Sequence, residues 1–285
     1  MTGDPTSPDE TPWKIGVITL VSGRRDHLLN QYRAITSSSR TPHSYTVVAI
    51  DEPLASEWLG NNSGAEMLQM TTTDRRLPLA AARNLGAAHA IDGGADLLVF
   101  LDVDCVPTPA LLSEYAAAAT QFPRSLLGGA VGYLPEGVDP FHPNRDAVAH
   151  FHPFRPRLFT GEVVPVDPNL FWSLSFALEA KTWHQTGGFH EEYCGYGGED
   201  TDFSRIAQQR GIVFRMVGGA EAFHQHHPTQ SPPVQHLDDI LRNGQLFKDR
   251  WGSWPMTGWL KEFEARGLVT RNEASGDWQK IGVVL

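Results

Sequence analysis

Five apolar residues, Leu97-Leu98-Val99-Phe100-Leu101, stand without a polar break and are followed at once by Asp102-Val103-Asp104. So short and so apolar a run is the signature of a strand buried on both faces, which requires a sheet with helices packed on either side. The rest of the first half agrees. Residues 15–21 are β-rich and end at Ser22-Gly23, and residues 26–35 set Leu28, Leu29, Tyr32 and Ile35 at helical spacing. Residues 45–50 read as a second strand, stopped by Asp51-Glu52-Pro53. The Ala-rich stretch 79–90 predicts a helix closed by Asp92-Gly93-Gly94, and residues 107–119 predict another with Thr108 as its cap.

Alternating strands and helices predict an α/β fold with a mostly parallel, doubly wound central sheet. Ligands of such sheets gather outside the carboxyl ends of the strands. Asp51 and Asp102 both stand where an apolar strand ends, which makes them the first functional candidates. Further on, residues 136–168 read as loop, 169–180 as strand with Trp172, 201–210 as helix and 212–217 as strand. Beyond Pro232-Pro233 the pattern turns helical through Leu237, Ile240, Leu241 and Phe247, and ends in a stretch holding Trp251, Trp254 and Trp259, most simply core residues.

Composition narrows the function. With 41% hydrophobic and 20% charged residues the chain is of ordinary globular type, and a net charge of −10 argues against a nucleic-acid partner. No apolar run approaches the ~20 residues that span a bilayer. Residues 1–12 are polar and Pro-rich, read as a disordered tail rather than a signal peptide. Two cysteines, Cys105 and Cys194, make no disulfide framework. A cytoplasmic location is expected, with peripheral contact to a membrane left open.

Three clusters could carry chemistry. Asp102 and Asp104, at a strand end with a small residue between them, suit a hard divalent cation with positions left for phosphate oxygens; two solvated loop aspartates would look the same. Gly197-Gly198-Glu199-Asp200 follows the Gly-rich run 187–196 and opens a helix. Its acids could cap that helix or present a general base beside a glycine loop. Phe223-His224-Gln225-His226-His227 puts three histidines within four residues near a strand end, as metal ligands or as a surface cluster. Arg24, Arg25 and Arg83 are candidates for a diphosphate, although an arginine can equally be a surface cation.

Together these segments resemble the GT-A glycosyltransferases, specifically family 2 and the C-terminal motif of the β-1,4-galactosyltransferases, over residues 14–228. The resemblance rests on Asp102-Val103-Asp104, on Tyr196-Gly197-Gly198-Glu199-Asp200, on the R-x-x-H-L-like segment Arg24 to Leu28, and on Ala82-Arg83-Asn84-Leu85-Gly86. It implies a GT-A domain over residues 13–228, with a nucleotide-binding half (13–106) and an acceptor-binding half (107–228); the helical pattern beyond it is read as an extension over 229–285 packed on that domain.

It also implies a metal-dependent, inverting transferase moving sugar from a nucleotide-diphosphate sugar, first among them a UDP-sugar, to a carbohydrate or other acceptor hydroxyl. Leu20, Arg24, Asp51, Arg83, Asp102 and Asp104 would serve the donor. Asp200 would be the catalytic base, and Tyr196 and Glu199 would face the acceptor; Trp172 could stack on an acceptor sugar too, although a buried core aromatic is its simpler reading. Asp104, His224 and His227 would hold Mn²⁺ or Mg²⁺. The galactosyltransferase pattern has Trp where this chain has Tyr196, so acceptor identity does not carry over; its late metal ligands follow M-x-x-H where this chain has His224-Gln225-His226-His227, which favours His224 as ligand and His227 second. The alternatives are a nucleotidyltransferase, which should carry a Gly-rich triphosphate loop after the first strand, a non-catalytic sugar-binding module, and a His-based metallohydrolase.

Overall fold

The computed structural model describes residues 13–60, 63–72 and 76–282; the tail expected over residues 1–12 lies outside them. The first half alternates as its pattern requires: β1 (Ile15–Val21), α1 (Arg25–Thr36), β2 (Ser44–Ile50), α2 (Ala55–Leu59), β3 (Ala65–Met70), α3 (Leu79–Asp92) and β4 (Leu97–Leu101). All of β1 and β4 is buried, as runs without polar interruption must be between two helical layers. Helix α3 lies close on the sheet because Gly86 has no side chain: a Cβ there would come 2.6 Å from Ile18 Cγ2.

The chain continues through β5 (Cys105–Pro107), α4 (Leu111–Gln121), β6 (Ser125–Tyr133), α5 (Arg145–Val148), β7 (His150–Phe151), β8 (Val163–Pro165) and β9 (Ser175–Glu179). Helices α6 (Ala180–Thr186) and α7 (Glu199–Gln209) lead to β10 (Val213–His224). The main sheet has the order β3-β2-β1-β4-β9-β6-β10-β5, with β7 on β6 and β8 on β10. Strands β1, β2, β3 and β4 are parallel, and β9 runs against both β4 and β6. Since β6 pairs parallel with β10, the six strands β1, β2, β3, β4, β6 and β10 point one way. Their carboxyl ends therefore share one edge with the segment that enters β9.

Local expectations are adjusted in three places. The helix expected over 107–119 begins only at Leu111, with Ala110 at its N-cap and no side-chain cap. Thr108 Oγ1 is instead buried without a hydrogen-bond partner, because residues 105–107 pair as β5 with β10. The strand expected to end at Val217 runs on to His224: Gly218 and Gly219 lie in an irregularity between Val217 and Ala222 rather than at a strand end. The strand expected over 169–180 is shorter, since residues 168–170 form a 3₁₀ turn before β9.

The C-terminal segment consists of α8 (Leu237–Trp251), α9 (Thr257–Ala265) and a hairpin of β11 (Val269–Arg271) and β12 (Trp278–Lys280) that its helical pattern did not announce. Leu237, Ile240, Leu260, Phe263, Val269 and Trp278 form a small core of their own, with Trp254 and Trp259 packed partly buried against it. Trp251 instead joins the core of the main sheet. Among the described residues no helix is long and apolar enough to cross a membrane.

Candidate active site at the carboxyl edge of the sheet

The strand directions bring together residues far apart in sequence: Arg24 after β1, Asp51 after β2, Asp102 after β4, Tyr133 ending β6 and His224 ending β10. Asp104 is the hub. Its carboxylate lies 3.4 Å from Nε2 of His224 and 3.4 Å from Nε2 of His227, and Arg24 Nη1 donates to it. Burial opposes a charge on Asp104, but the His227 hydrogen bond and the charges of His224 and Arg24 outweigh it and hold the carboxyl at about 2. Burial lowers the pKa of His224 as well, against the raising pull of Asp104, which favours the neutral imidazole that ligates metals.

Asp104, His224 and His227 can each offer one ligand atom within 4.8 Å of the others. One carboxylate with two imidazoles fits a borderline ion such as Mn²⁺ better than Mg²⁺, which prefers an all-oxygen shell. Asp102 does not join this group. Its carboxylate turns to Arg83, with Nη2 3.3 Å away. Burial and the neighbouring Asp104 charge push Asp102 up to about 6 against the pull of Arg83.

Arg83 joins the first acidic cluster to the second. It is buried on α3, and its Nη1 lies 3.4 Å from Glu199 Oε1, so one guanidinium bridges the end of β4 and the start of α7. The second carboxylate oxygen of Glu199 is buried without a partner. Next to it Asp200 accepts from the Thr201 amide at 2.7 Å. Burial and then the Glu199 charge raise Asp200 to about 7. The third acid of this turn, Asp202, is completely buried and has a different task. It accepts from Tyr193 Oη, Arg250 Nε and Trp251 Nε1, tying α8 to α7.

The remaining candidates are placed as follows. Leu20 is buried beneath the edge in an apolar cluster with Val48, Ile50 and Ala82. Asp51 has a left-handed backbone, and its carboxylate accepts from the Thr72 amide and hydroxyl, which lower its pKa. Tyr196 is 38% exposed, and its phenol is raised to about 12 by burial and then by the charges of Asp200, Glu199 and Asp102. Trp172 has other surroundings: it meets the ring of His152 edge-on at 4.5 Å and carries the Arg155 guanidinium over its face at 5.1 Å. His226 is exposed and lies outside the Asp104 group.

Several bracing residues escape the sequence reading. Gln31 is wholly buried on α1; its Nε2 donates to the carbonyls of Asp102 and Cys105, while Thr19 and Tyr45 hydroxyls donate to its Oε1. That network fixes the turn bearing both aspartates. Gln225 does the same for the histidines: its amide donates to Asp104 O at 2.7 Å, and its side chain joins Asn30 and His27 O. Asn243 on α8 is buried, and its Nδ2 reaches the carbonyls of Cys194, Tyr196 and Gly197 at 3.1, 3.2 and 2.9 Å. A lone glutamine in a helix of mixed polar and apolar residues gives no motif; Gln225 at least stood inside the histidine run.

The sheet order and the acidic edge define a GT-A glycosyltransferase fold, and known proteins agree. A family model described as the N-terminal domain of galactosyltransferase matches residues 166–228, which contain the glycine loop, Glu199, Asp200 and the histidine run. The chain is 32% identical over 189 residues to validoxylamine A glucosyltransferase of Streptomyces hygroscopicus subsp. jinggangensis (strain 5008), covering 58% of this chain and 44% of that protein. It is 40% identical over 62 residues to the Escherichia coli chondroitin synthase, covering 21% of this chain and 9% of the synthase. The chain thus spans less than half the length of these curated relatives. Among solved structures it resembles GalNAc-T7 with UDP, GalNAc and Mn²⁺ (TM-score 0.58, 15% identity, 90% of this chain and 57% of that one). It also resembles Staphylococcus aureus TarS 1–349 (TM-score 0.56, 15% identity, 82% and 64%). At that identity the likeness is one of fold.

Proposed function

We propose that this chain is a metal-dependent, inverting glycosyltransferase that transfers a sugar from a nucleotide-diphosphate sugar, with UDP-sugars the first donors to test, to an acceptor hydroxyl. The observation that carries the reading is Arg83, which contacts Asp102 on one side and Glu199, the neighbour of Asp200, on the other. Asp102 precedes the candidate ion ligand Asp104 by two residues, and Glu199 precedes Asp200, so Arg83 would set an ion and a carboxylate raised toward neutrality on either side of one reacting centre, as displacement at an anomeric carbon requires. The matches to sugar-transferring proteins and the Mn²⁺ and UDP bound by GalNAc-T7 support the same reading.

Asp104, His224 and His227 would hold the divalent ion, whose positive charge would balance the charge developing on the leaving diphosphate. Arg24, now on Asp104, and Arg83 are the chain's own cations for phosphate oxygens. Asp200 takes the proton of the acceptor hydroxyl as its oxygen attacks the anomeric carbon from the face opposite the diphosphate. A single attack of this kind, with no enzyme nucleophile, inverts the anomeric centre, through a transition state of oxocarbenium character. A pKa near 7 suits Asp200, since a general base is most effective when its pKa lies near the working pH. Glu199, with one oxygen on Arg83 and the other buried without a partner, would accept from a sugar hydroxyl that entered beside it. The test is proton NMR of the product formed from α-linked UDP-glucose, UDP-galactose and UDP-N-acetylhexosamines. A β-linked product is expected; an α-linked one would rule out Asp200 as the base of a single displacement.

A further inference from the structure

The family model ends at residue 228, and nothing in it accounts for the C-terminal segment. That segment touches the site at Tyr196. The Tyr196 ring stacks on His236 with centroids 4.5 Å apart and planes at 11°, and lies 5.7 Å from the ring of Trp259 on α9. All three are partly exposed. Tyr196 also feels the charges of Asp200, Glu199 and Asp102, so the aromatic group begins beside the proposed base and runs outward onto the extension.

We infer that His236 and Trp259 form, with Tyr196, an outer acceptor subsite for an uncharged glycoside, holding the sugar ring beyond the one whose hydroxyl meets Asp200. The inference rests on the transferase reading and specifies its acceptor class. Aromatic faces supply the apolar contact that the C–H face of a sugar ring needs, and Asp239, which accepts from the Tyr196 amide, adds a polar group at the rim. Burial lowers the pKa of His236, so it offers a neutral ring at neutral pH. Of the acids nearby, Asp239 pairs with Arg242 at 2.9 Å and Glu199 and Asp102 share Arg83, which leaves Asp200 as the like charge that a phosphorylated or carboxylated acceptor ring would meet and a neutral glycoside would not. The subsite is held in register by Asn243 and by the loop's close packing on the extension: a Cβ on Gly197 would come 2.6 Å from Met256 Sδ.

The experiment is ligand-observed NMR and tryptophan fluorescence with UDP and Mn²⁺ present. It compares cellobiose, maltose, lactose and chitobiose with glucose and N-acetylglucosamine, on the full chain, on Trp259→Leu, which keeps apolar packing, and on His236→Ala. At least one disaccharide should bind about tenfold more tightly than its monosaccharide, and each variant should lose most of that difference while UDP affinity stays unchanged. Equal affinity for mono- and disaccharides, no saccharide binding, or a difference retained in both variants would overturn the subsite while UDP binding persists. Failure of the wild-type chain to bind UDP would instead overturn the functional reading, and the subsite with it.

Discussion

Asp200 and its two acidic neighbours show how little residue type says about role. Glu199, Asp200 and Asp202 all lie in the first turn of α7, yet Asp202 is fully buried under three donors while Asp200 has only its neighbour Thr201. If Asp200 is the base, Asp200→Asn keeps Mn²⁺-dependent UDP binding and lowers transfer by about 10²- to 10⁴-fold, as single-turnover assays with saturating donor would read. Transfer in the wild-type chain should rise with pH through about 7, because only the deprotonated carboxylate accepts a proton. Stability should move oppositely. A carboxyl raised in the folded state binds more protons there than in the unfolded chain between its ordinary value of 3.8 and about 7, so its contribution to stability falls as pH rises across that window. Asp200→Asn should therefore melt higher than wild type at pH 8, with the gain vanishing near pH 4; an equal gain at both values would remove this account of the shift.

At the scale of elements, the parallel half was legible because its code is local. Strand β4 stands in the sequence as five apolar residues, α3 as an alanine run, and the aspartates follow β4 directly. What was not legible depended on distant partners. The three residues of β5 have no strand pattern of their own and exist because Val106 pairs with Phe223. The double glycine that reads as the end of β10 is a bulge that carries the strand on to His224. The braces were hidden for the same reason: Gln31 looks like any helix glutamine until the fold sets Asp102 O and Cys105 O against it. Gln31→Leu should remove a donor from Cys105 O and the acceptor of the Thr19 and Tyr45 hydroxyls, while Asp102 O keeps the Cys105 amide at 2.8 Å, at about 1–3 kcal/mol for each group left unsatisfied. Urea unfolding should show a lowered midpoint, and an unchanged midpoint would mean that the network adds nothing. Gly129→Ala is harsher, since a Cβ would come 1.9 Å from Ala220 O across β6 and β10; soluble expression should fall.

Across the whole molecule, the C-terminal segment grips the loop that precedes the proposed base. Asn243 reaches three loop carbonyls, and Arg250 and Trp251 bind Asp202 at the other end of α8. Since α8 bonds to the acidic helix and, among the described residues, makes no hydrogen bond or ion pair with Asp104, His224 or His227, Asn243→Ala should lower transfer by about tenfold or more through misplacement of Asp200, while leaving Mn²⁺ and UDP affinity near wild type. Calorimetry beside steady-state transfer separates the two, and a parallel loss of both would show a general loss of structure instead. The chain's net charge of −10 bears on the same division: if the proposal holds, binding of an anionic donor would depend on local cations, Arg24 and Arg83, and on an ion at Asp104.

The most direct measurement is calorimetric titration of UDP into wild-type protein and Asp104→Asn, each with Mn²⁺ and with chelator. Binding that requires Mn²⁺ in the wild type and disappears in Asp104→Asn is the predicted result. UDP binding that is indifferent to Mn²⁺, or that survives unchanged in Asp104→Asn, would contradict a metal-assisted donor site built on Asp104, His224 and His227.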